Sequence, residues 1–194
     1  MALDSKYVVF RLGKEDYGVP IEQVISIEHI KEPTLIPRMP KHIRGVLDIR
    51  QTVMPIADLR VYLLEADMQD TDETRIIVVN VNNQSMGLVV DEAKDVVDLD
   101  PSQIQSLQIK GAASESVLGI GKVDERLIIL LNLEKLLDEL DPEQIMQEIQ
   151  EALGQETDEK AGEGKEADGE EEERPEQSEE QEEAESQDAE DVKA

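Results

Sequence analysis

Groups that could move protons, attack electrophiles or hold metals are sparse in this sequence. It contains no cysteine, which removes thiolate nucleophiles, disulfides and Cys-ligated zinc or iron–sulfur sites and is compatible with a reducing compartment. The two histidines, His29 and His42, fall in a strand-like run and a proline-rich loop. Neither belongs to a nucleophile–base motif or a His-x-x-x-His metal pair, so both read as structural or surface residues. Gly119-Ile-Gly121 lacks a third glycine and leads into a strand rather than a helix, which fails the context of a phosphate-binding loop. Asp98-Leu-Asp100 opens like a calcium loop but lacks the required glycine and the distal glutamate. Asp48, Asp58, Asp91 and Asp95 lie near apolar strands, yet no His, Lys or Tyr set converges with them, and turn or strand-end roles account for them. The sequence predicts no catalytic residue, no metal and no cofactor.

The elements that would position any site are set by charge and by period. The chain of 194 residues carries 47 acids and 19 Lys+Arg, a net charge of −28. Residues 155–194 hold 19 of those acids against four bases and contain no Ile, Leu, Met, Phe, Tyr or Trp. Such a segment has too little apolar surface to offset ordering, which costs about 1–2 kcal/mol of backbone entropy per residue, and is expected to be a disordered acidic tail. Residues 1–154 are rich in Ile, Val and Leu and form the expected folded body. The opening Met1-Ala-Leu-Asp-Ser-Lys-Tyr is no signal peptide, and the apolar runs are too short to span a bilayer. Strong negative charge disfavours nucleic acid and anionic lipid. A cytoplasmic protein is expected.

Along the body, apolar residues alternate at period two in short segments, which is the pattern of half-buried strands. Val8, Phe10 and Leu12 would share one face, and after a turn at Gly13–Asp16 the alternation resumes at Tyr17, Val19 and Ile21. Pro20 cannot donate to a ladder and marks an edge or bulge. Further runs at 24–30, 43–49, 53–59, 75–81, 86–90, 95–99, 118–123 and 126–133 bring the total to about ten strands. No long helical crossover separates them, so the sequence predicts a mainly β protein of small antiparallel barrels. The acidic segment Glu65–Thr74 divides the strands into a first barrel at about 6–64 and a second at about 74–133. A short helical turn is predicted at Asn132–Leu140 from Leu133, Leu136, Leu137 and Leu140. A C-terminal helix is predicted over 141–153, with Asp141 as N-cap, Gln144 completing a capping box, an apolar stripe of Ile145, Ile149 and Leu153 flanked by Met146 and Ala152, and Gly154 as its stop.

The stretch Gly45-Val-Leu-Asp-Ile-Arg50-Gln-Thr-Val-Met-Pro55-Ile-Ala-Asp58-Leu-Arg60 resembles the CheW family of bacterial chemotaxis coupling proteins, in which a Gly-Val-x-Asn-Leu-Arg-Gly strand precedes a Pro-Val/Ile-x-Asp-Leu segment. The resemblance continues through Phe10-x-Leu-Gly13, Tyr17-Gly-Val19 and Ile21-x-x-Val24. It runs on through Met86-Gly-Leu-Val-Val-Asp91, Asp95-Val-Val97, Leu118-Gly-Ile-Gly121, Leu127–Leu130 and Leu133–Leu137, covering about residues 5–140 in the family's order. Two departures stand out. Asp48 replaces the usual Asn, and Gln51 the usual Gly, which bears on any positive φ at that position.

The resemblance implies two five-stranded SH3-like barrels packed together. It also implies a non-catalytic adaptor that joins the cytoplasmic tips of chemoreceptors, the methyl-accepting chemotaxis proteins, to the regulatory domain of the histidine kinase CheA, at receptor arrays on the inner face of the cell membrane and without inserting into it. Carried over by position, it implies a kinase-facing patch at Val8, Ile21 and Val24 and a receptor-facing groove at Val46, Ile49, Arg50, Val96 and Val97, with Gly45, Gly87 and Gly119 as structural glycines. The plain alternatives are barrel core for the aliphatic residues and a salt bridge from Arg50 to Asp48 or Asp58. The sequence also leaves open an adaptor of another receptor–kinase pathway, such as surface motility or gene control, a carboxylate-dependent hydrolase, and a decoy or chaperone acting through the tail. The tail itself reads as a solubilising segment or one that contacts a basic surface of the kinase.

Overall fold

The computed structural model describes residues 6–66, 69–106 and 116–159, with side chains through Glu151. The predicted tail therefore lies, from residue 160 on, outside the described residues. Among these, eleven strands form: β1 (Lys6–Leu12), β2 (Glu15–Pro20), β3 (Val24–His29), β4 (Ile43–Ile49), β5 (Thr52–Asp58), β6 (Arg75–Val81), β7 (Gln84–Val90), β8 (Glu92–Asp98), β9 (Ile104–Gln105), β10 (Val117–Val123) and β11 (Arg126–Leu131). Three helices accompany them, α1 (Leu59–Leu64), α2 (Leu133–Leu140) and α3 (Pro142–Glu159).

The strands make two sheets, six-stranded in the order β8-β1-β2-β11-β10-β9 and five-stranded in the order β3-β6-β7-β5-β4. The mainly β class is as the period predicts, but the split at Glu65–Thr74 is not. The six-stranded sheet combines the two N-terminal strands with the last four, and the five-stranded sheet takes β3 to β7. Two parallel pairings make this exchange, Asp16–Gly18 with Ile128–Leu130 and Ile56–Asp58 with Gly87–Val89. Periodicity reports which face a residue occupies and not which strand lies beside it, and closing a long loop costs only slightly more than closing a short one. Pro20 sits at the end of β2, opposite Tyr7 and beyond the β11 pairing, where its missing N–H costs no ladder bond.

Alternation sorts the strands onto three cores. Val8, Phe10 and Leu12 of β1 join Tyr17 and Val19 of β2, Ile77, Val79 and Val81 of β6, and Met86, Leu88 and Val90 of β7 in one core shared by the two sheets. Tyr7 and Val9 face the other way, into a smaller core with Leu99, Ile128 and Leu130. Ile49, Met54, Ile56, Ile76, Val78 and Val89 form the corresponding core of the five-stranded sheet. Each such aliphatic side chain contributes about 1.5–3 kcal/mol on full burial.

The helices close the open side of the shared core. Asn132 caps α2 by accepting from the Lys135 amide at 3.3 Å, and Leu133, Leu136, Leu137 and Leu140 are all buried. Asp141 then caps α3 by accepting from the Gln144 amide at 3.0 Å. The second half of the predicted capping box does not form, because the Asp141 amide donates to the Leu137 carbonyl at 2.8 Å; the Gln144 side chain donates to Glu148. Ile145 and Ile149 are buried in the shared core and Met146 packs against it; Ala152 and Leu153 lie beyond the described side chains. α3 does not stop at Gly154 but runs to Glu159. One helical glycine costs only about 1 kcal/mol relative to alanine, and the Gln-Glu-Thr-Asp-Glu that follows supplies residues that tolerate helix. The helix α1 is absent from the sequence reading, although Asp58 ahead of Leu59-Arg-Val-Tyr-Leu-Leu was its available signal.

Two backbone positions carry visible constraint. Gly45 adopts φ +127°, and a Cβ there would overlap the carbonyl oxygen of Thr34, because the β3–β4 loop returns to β4 through reciprocal Thr34–Val46 hydrogen bonds of 2.9 and 3.0 Å. Gly87 and Gly119 instead sit under close neighbours, where a Cβ would stand 2.5 Å from Ile56 Cδ1 and 2.5 Å from the Gln105 carbonyl oxygen. Arg50 and Gln51 form the β4–β5 turn with φ of +55° and +66°, so the left-handed conformation that suits glycine is held by two side chains with no special tolerance for it. Replacing Gln51→Gly is expected to raise stability by about 0.5–1 kcal/mol, the left-handed penalty less glycine's added unfolded-state freedom, and to raise the urea midpoint without changing the m-value.

Candidate functional site

β3 and β8 are edge strands, one of each sheet, and a groove of about 310 Å³ opens between them, lined by Val8, Val9, Ile27, Arg75, Ala93, Lys94, Asp95 and Val96. Register explains its apolar rim. Val96 stands opposite Val8 and Ile27 opposite Ile77, and both partners are buried in the shared core. The core face therefore continues outward across each edge until nothing covers it, leaving Val96 51% and Ile27 43% exposed. Ile25, also 51% exposed, lies beside a register shift between Val24 and Ser26. Two exposed aliphatic residues on an edge strand mark a place where another chain can dock.

Charged groups fix the groove's far wall. Lys94 donates to Asp16 at 2.6 Å, and Arg126 bridges Asp16 and Asp95, each at 3.1 Å. Burial raises the Asp16 carboxyl, but Lys94 and Arg126 outweigh that effect and hold it below its ordinary value. Arg75 is occupied by the backbone carbonyls of Asp72 and Thr74 at 2.7 and 2.9 Å.

The structure divides the residues inferred from the family pattern. Val8, assigned to the kinase-facing patch, is 4% exposed and belongs to the shared core, contributing only to the floor of the groove rather than to an outward kinase-facing patch. Ile21, in a 3-10 turn (Ile21–Gln23), and Val24, at the start of β3, are half-buried against that core. On the receptor side, Ile49 is buried in the small core of the five-stranded sheet and is likewise corrected to a structural residue. Val46 and Val97 are half-buried, Val46 against the shared core and Val97 against the small core of the six-stranded sheet. Val96 lies in the groove, while Arg50 stands at the β4–β5 turn with its side chain 68% exposed and 3.6 Å from Glu28 of β3. Its partner is thus neither Asp48 nor Asp58. Ile27 of the groove and the exposed Ile25 on the same strand, both missed from sequence, belong to the run at 24–30, but alternation gives no sign that this strand lies at an edge.

Asp58 and Asp91, candidate acids by sequence, serve a buried arginine. Arg60 is wholly buried and donates through Nε and Nη2 to Asp58 at 2.9 and 2.7 Å, through Nη2 to Asp70 at 2.7 Å and through Nη1 to Asp91 at 3.3 Å. Asp58 also caps α1 by accepting from the Arg60 amide at 3.0 Å, and Asp91 accepts from the Gly13 amide at 2.7 Å. Arg44 grips Asp70 in a bidentate pair at 2.9 and 2.7 Å. Burial alone would lower the Arg60 guanidinium's proton affinity, but its carboxylates raise it above the ordinary value. The Arg44 contact, against some burial and with help from Arg60, holds the Asp70 carboxyl below its ordinary value. His42 packs edge-on against Tyr62 at 5.2 Å, and burial lowers its pKa. Among the described residues, no group of His, Asp and Glu has metal-holding geometry and no helix is long and apolar enough to cross a membrane.

Two apolar edge strands flanking a groove, on a body whose acids are tied to arginines, define a binding module. The CheW-like domain model matches residues 6–141. The chain is 35% identical over 135 residues to the chemotaxis protein CheW of Klebsiella aerogenes, covering 69% of this chain and 81% of that protein. It is 34% identical to CheW of Bacillus subtilis, over 69% and 87% of the two chains, and 30% identical to protein FrzA of Myxococcus xanthus, over 69% and 86%. Its fold matches the crystal structure of the scaffolding protein TtCheW from Thermoanaerobacter tengcongensis with a TM-score of 0.61 at 30% identity, over 69% of this chain and 87% of that one. The chain belongs to the CheW-like family and is a CheW-like scaffold of chemotaxis signalling, a family role that involves no catalysis.

The arginine network sets an acid limit to stability. Because the folded-state pKa of Asp70 is depressed, its contribution is fully present above the ordinary value of 3.8 and is lost as pH falls through the lower folded value. Asp70→Asn is expected to cost about 1.5–3 kcal/mol at pH 7, the range for hydrogen bonds to charged groups. The gap between variant and native protein should narrow below about pH 4, as urea unfolding at pH 7 and pH 3 would show.

Proposed function

We propose that this chain couples chemoreceptors to the histidine kinase CheA by binding both at once, and that the observation carrying this reading is the groove in which Ile27 and Val96 extend the shared core's face to the surface. A receptor tip is an amphipathic helical hairpin, and a groove between two aliphatic edges accepts its apolar stripe. Each anchor contributes about 1.5–3 kcal/mol before the costs of association, so a few suffice for a reversible contact. Arg50, exposed at its turn beyond β4, supplies a guanidinium that fixes the helix's orientation by a polar contact. The kinase regulatory domain docks at the 3-10 turn and the start of β3, where Ile21 and Val24 are half-buried and Ile25 is exposed. Holding both partners lets a receptor change bias the kinase's conformational equilibrium through differential contacts. This binding recruits the chain to receptor arrays at the inner face of the cell membrane.

The similarity to FrzA, a relative that carries another name, supports a second reading in which the same bridging serves a different receptor–kinase pathway. A pull-down with candidate kinase domains and receptor fragments from both kinds of pathway separates the two.

Val24 packs on the core, so the cleaner test of the kinase surface is Ile25→Asp, which places an unpaired carboxylate in an apolar contact. It is expected to weaken kinase binding about tenfold or more, a loss of at least ~1.4 kcal/mol, with unchanged thermal unfolding; full affinity in calorimetry would remove β3 from the kinase interface. Arg50→Glu and Val96→Asp are expected to impair receptor capture in a co-sedimentation assay while sparing kinase affinity. Equal losses for both partners would point to a damaged fold instead.

A further inference from the structure

The body ahead of the tail is itself acidic, with 15 bases against 28 acids in residues 1–154, and one segment of it departs from that rule. Within 31–44, the bases Lys31, Arg38, Lys41 and Arg44 face a single acid, Glu32. Arg44 is engaged by Asp70 and Asp58. Lys31, Arg38 and Lys41 are exposed and make no ion pair among the described residues. They sit on the β3–β4 loop, which is held in shape rather than left loose. Pro33, Pro37 and Pro40 restrict its backbone, Thr34 is bonded to Val46 on β4, and Ile36 is buried in the shared core. Other exposed cations are either matched nearby, as Lys94 and Arg126 are by Asp16 and Asp95, or stand singly, as Lys6, Lys14 and Lys122 do; this loop gathers three within eleven residues.

We propose that residues 160–194 of this same chain fold back onto the β3–β4 loop and are held there by Lys31, Arg38 and Lys41. Charge complementarity selects this occupant. Residues 155–194 carry a net −15, are repelled by the rest of an acidic body, and meet on this loop a concentration of positive charge that is unpaired among the described residues. Reach is sufficient. The 35 residues beyond α3 have a coil dimension of roughly 35 Å, comparable to the width of a body whose radius of gyration is about 15 Å, and tethering raises the effective concentration to the millimolar range. With no large apolar side chain the segment cannot cover Leu35, which is 79% exposed at the same loop. The contact is therefore purely electrostatic and yields to salt or to a partner that covers Leu35.

The absence of native cysteine lets Ala184→Cys carry one nitroxide label on the full chain, and paramagnetic broadening of backbone amide signals reads where the segment rests. At about 25 mM salt, signals of residues 31–41 are expected to lose more than half their intensity while those of the β10–β11 turn keep theirs, and about 0.5 M salt, with a Debye length of only a few ångströms, restores them. Lys31→Glu/Arg38→Glu/Lys41→Glu is expected to abolish the broadening at low salt, its strand signals reporting an intact fold. Broadening that is absent from the loop, spread evenly, insensitive to salt or unchanged by the charge reversals overturns the proposal. So does loop broadening that persists in a mixture of labelled and separately isotope-enriched chains, which would assign the contact to a second copy.

Discussion

Three segments meet at the guanidinium of Arg60, and a fourth is tied to it through one of them. Asp58 ends β5 and caps α1, Asp91 joins β7 to β8, Asp70 belongs to the loop before β6, and Asp91 in turn holds the amide of Gly13 in the β1–β2 turn. A cation without exposure must be surrounded by acceptors, because an unpaired buried charge costs several kcal/mol. The observed arrangement of the two sheets supplies all these acceptors together. Such a network adds little net stability over apolar packing of the same shape, but it fixes register and orientation between elements that aliphatic side chains alone would tolerate in several arrangements. It also accounts for carboxylates that a search for catalytic acids singles out. Asp58 and Asp91 are committed to the arginine.

What the network fixes is the relation of one sheet to the other, and that relation makes the groove. The shared core runs from α2 and α3 on one side to the edges β3 and β8 on the other. Helices cover it at the first end; at the second, Ile27 and Val96 face outward. Isolated sheets would each bury one face or aggregate along their edges. Packed together, they leave a bounded aliphatic rim flanked by Lys94, Asp95 and Arg126. The scaffold role of the family rests on such surfaces, in which geometry matters more than reactive groups.

Charge is distributed with the same economy of position. Many cations of the body are bound to acids, at the arginine network and along β8, whereas the β3–β4 loop gathers three that have no ion pair among the described residues. Its neighbour β3 carries the exposed Ile25 and Ile27, so a segment resting on the loop would lie next to the surface proposed for partner binding. Electrostatic contacts of this kind respond to ionic strength within a Debye length of about 8–10 Å at physiological salt.

Sequence alone determined the mainly β class, the alternation that puts Val8, Phe10 and Leu12 on one face, the helices after Asn132 and Asp141, and the family, because each is written in local spacing or in an ordered set of short motifs. It did not determine which strands pair: the parallel contacts of β2 with β11 and β5 with β7 join residues far apart along the chain, and period is blind to them. Nor did it separate core from surface within one strand. Val8 and Val96 are the same residue type at paired positions, yet one is buried because β1 lies between β2 and β8 and packs into the core shared with the second sheet, and the other is exposed because β8 is an edge. Position in a motif names both alike. Only the tertiary structure decides, since exposure belongs to what is packed on top of a side chain and not to the side chain itself.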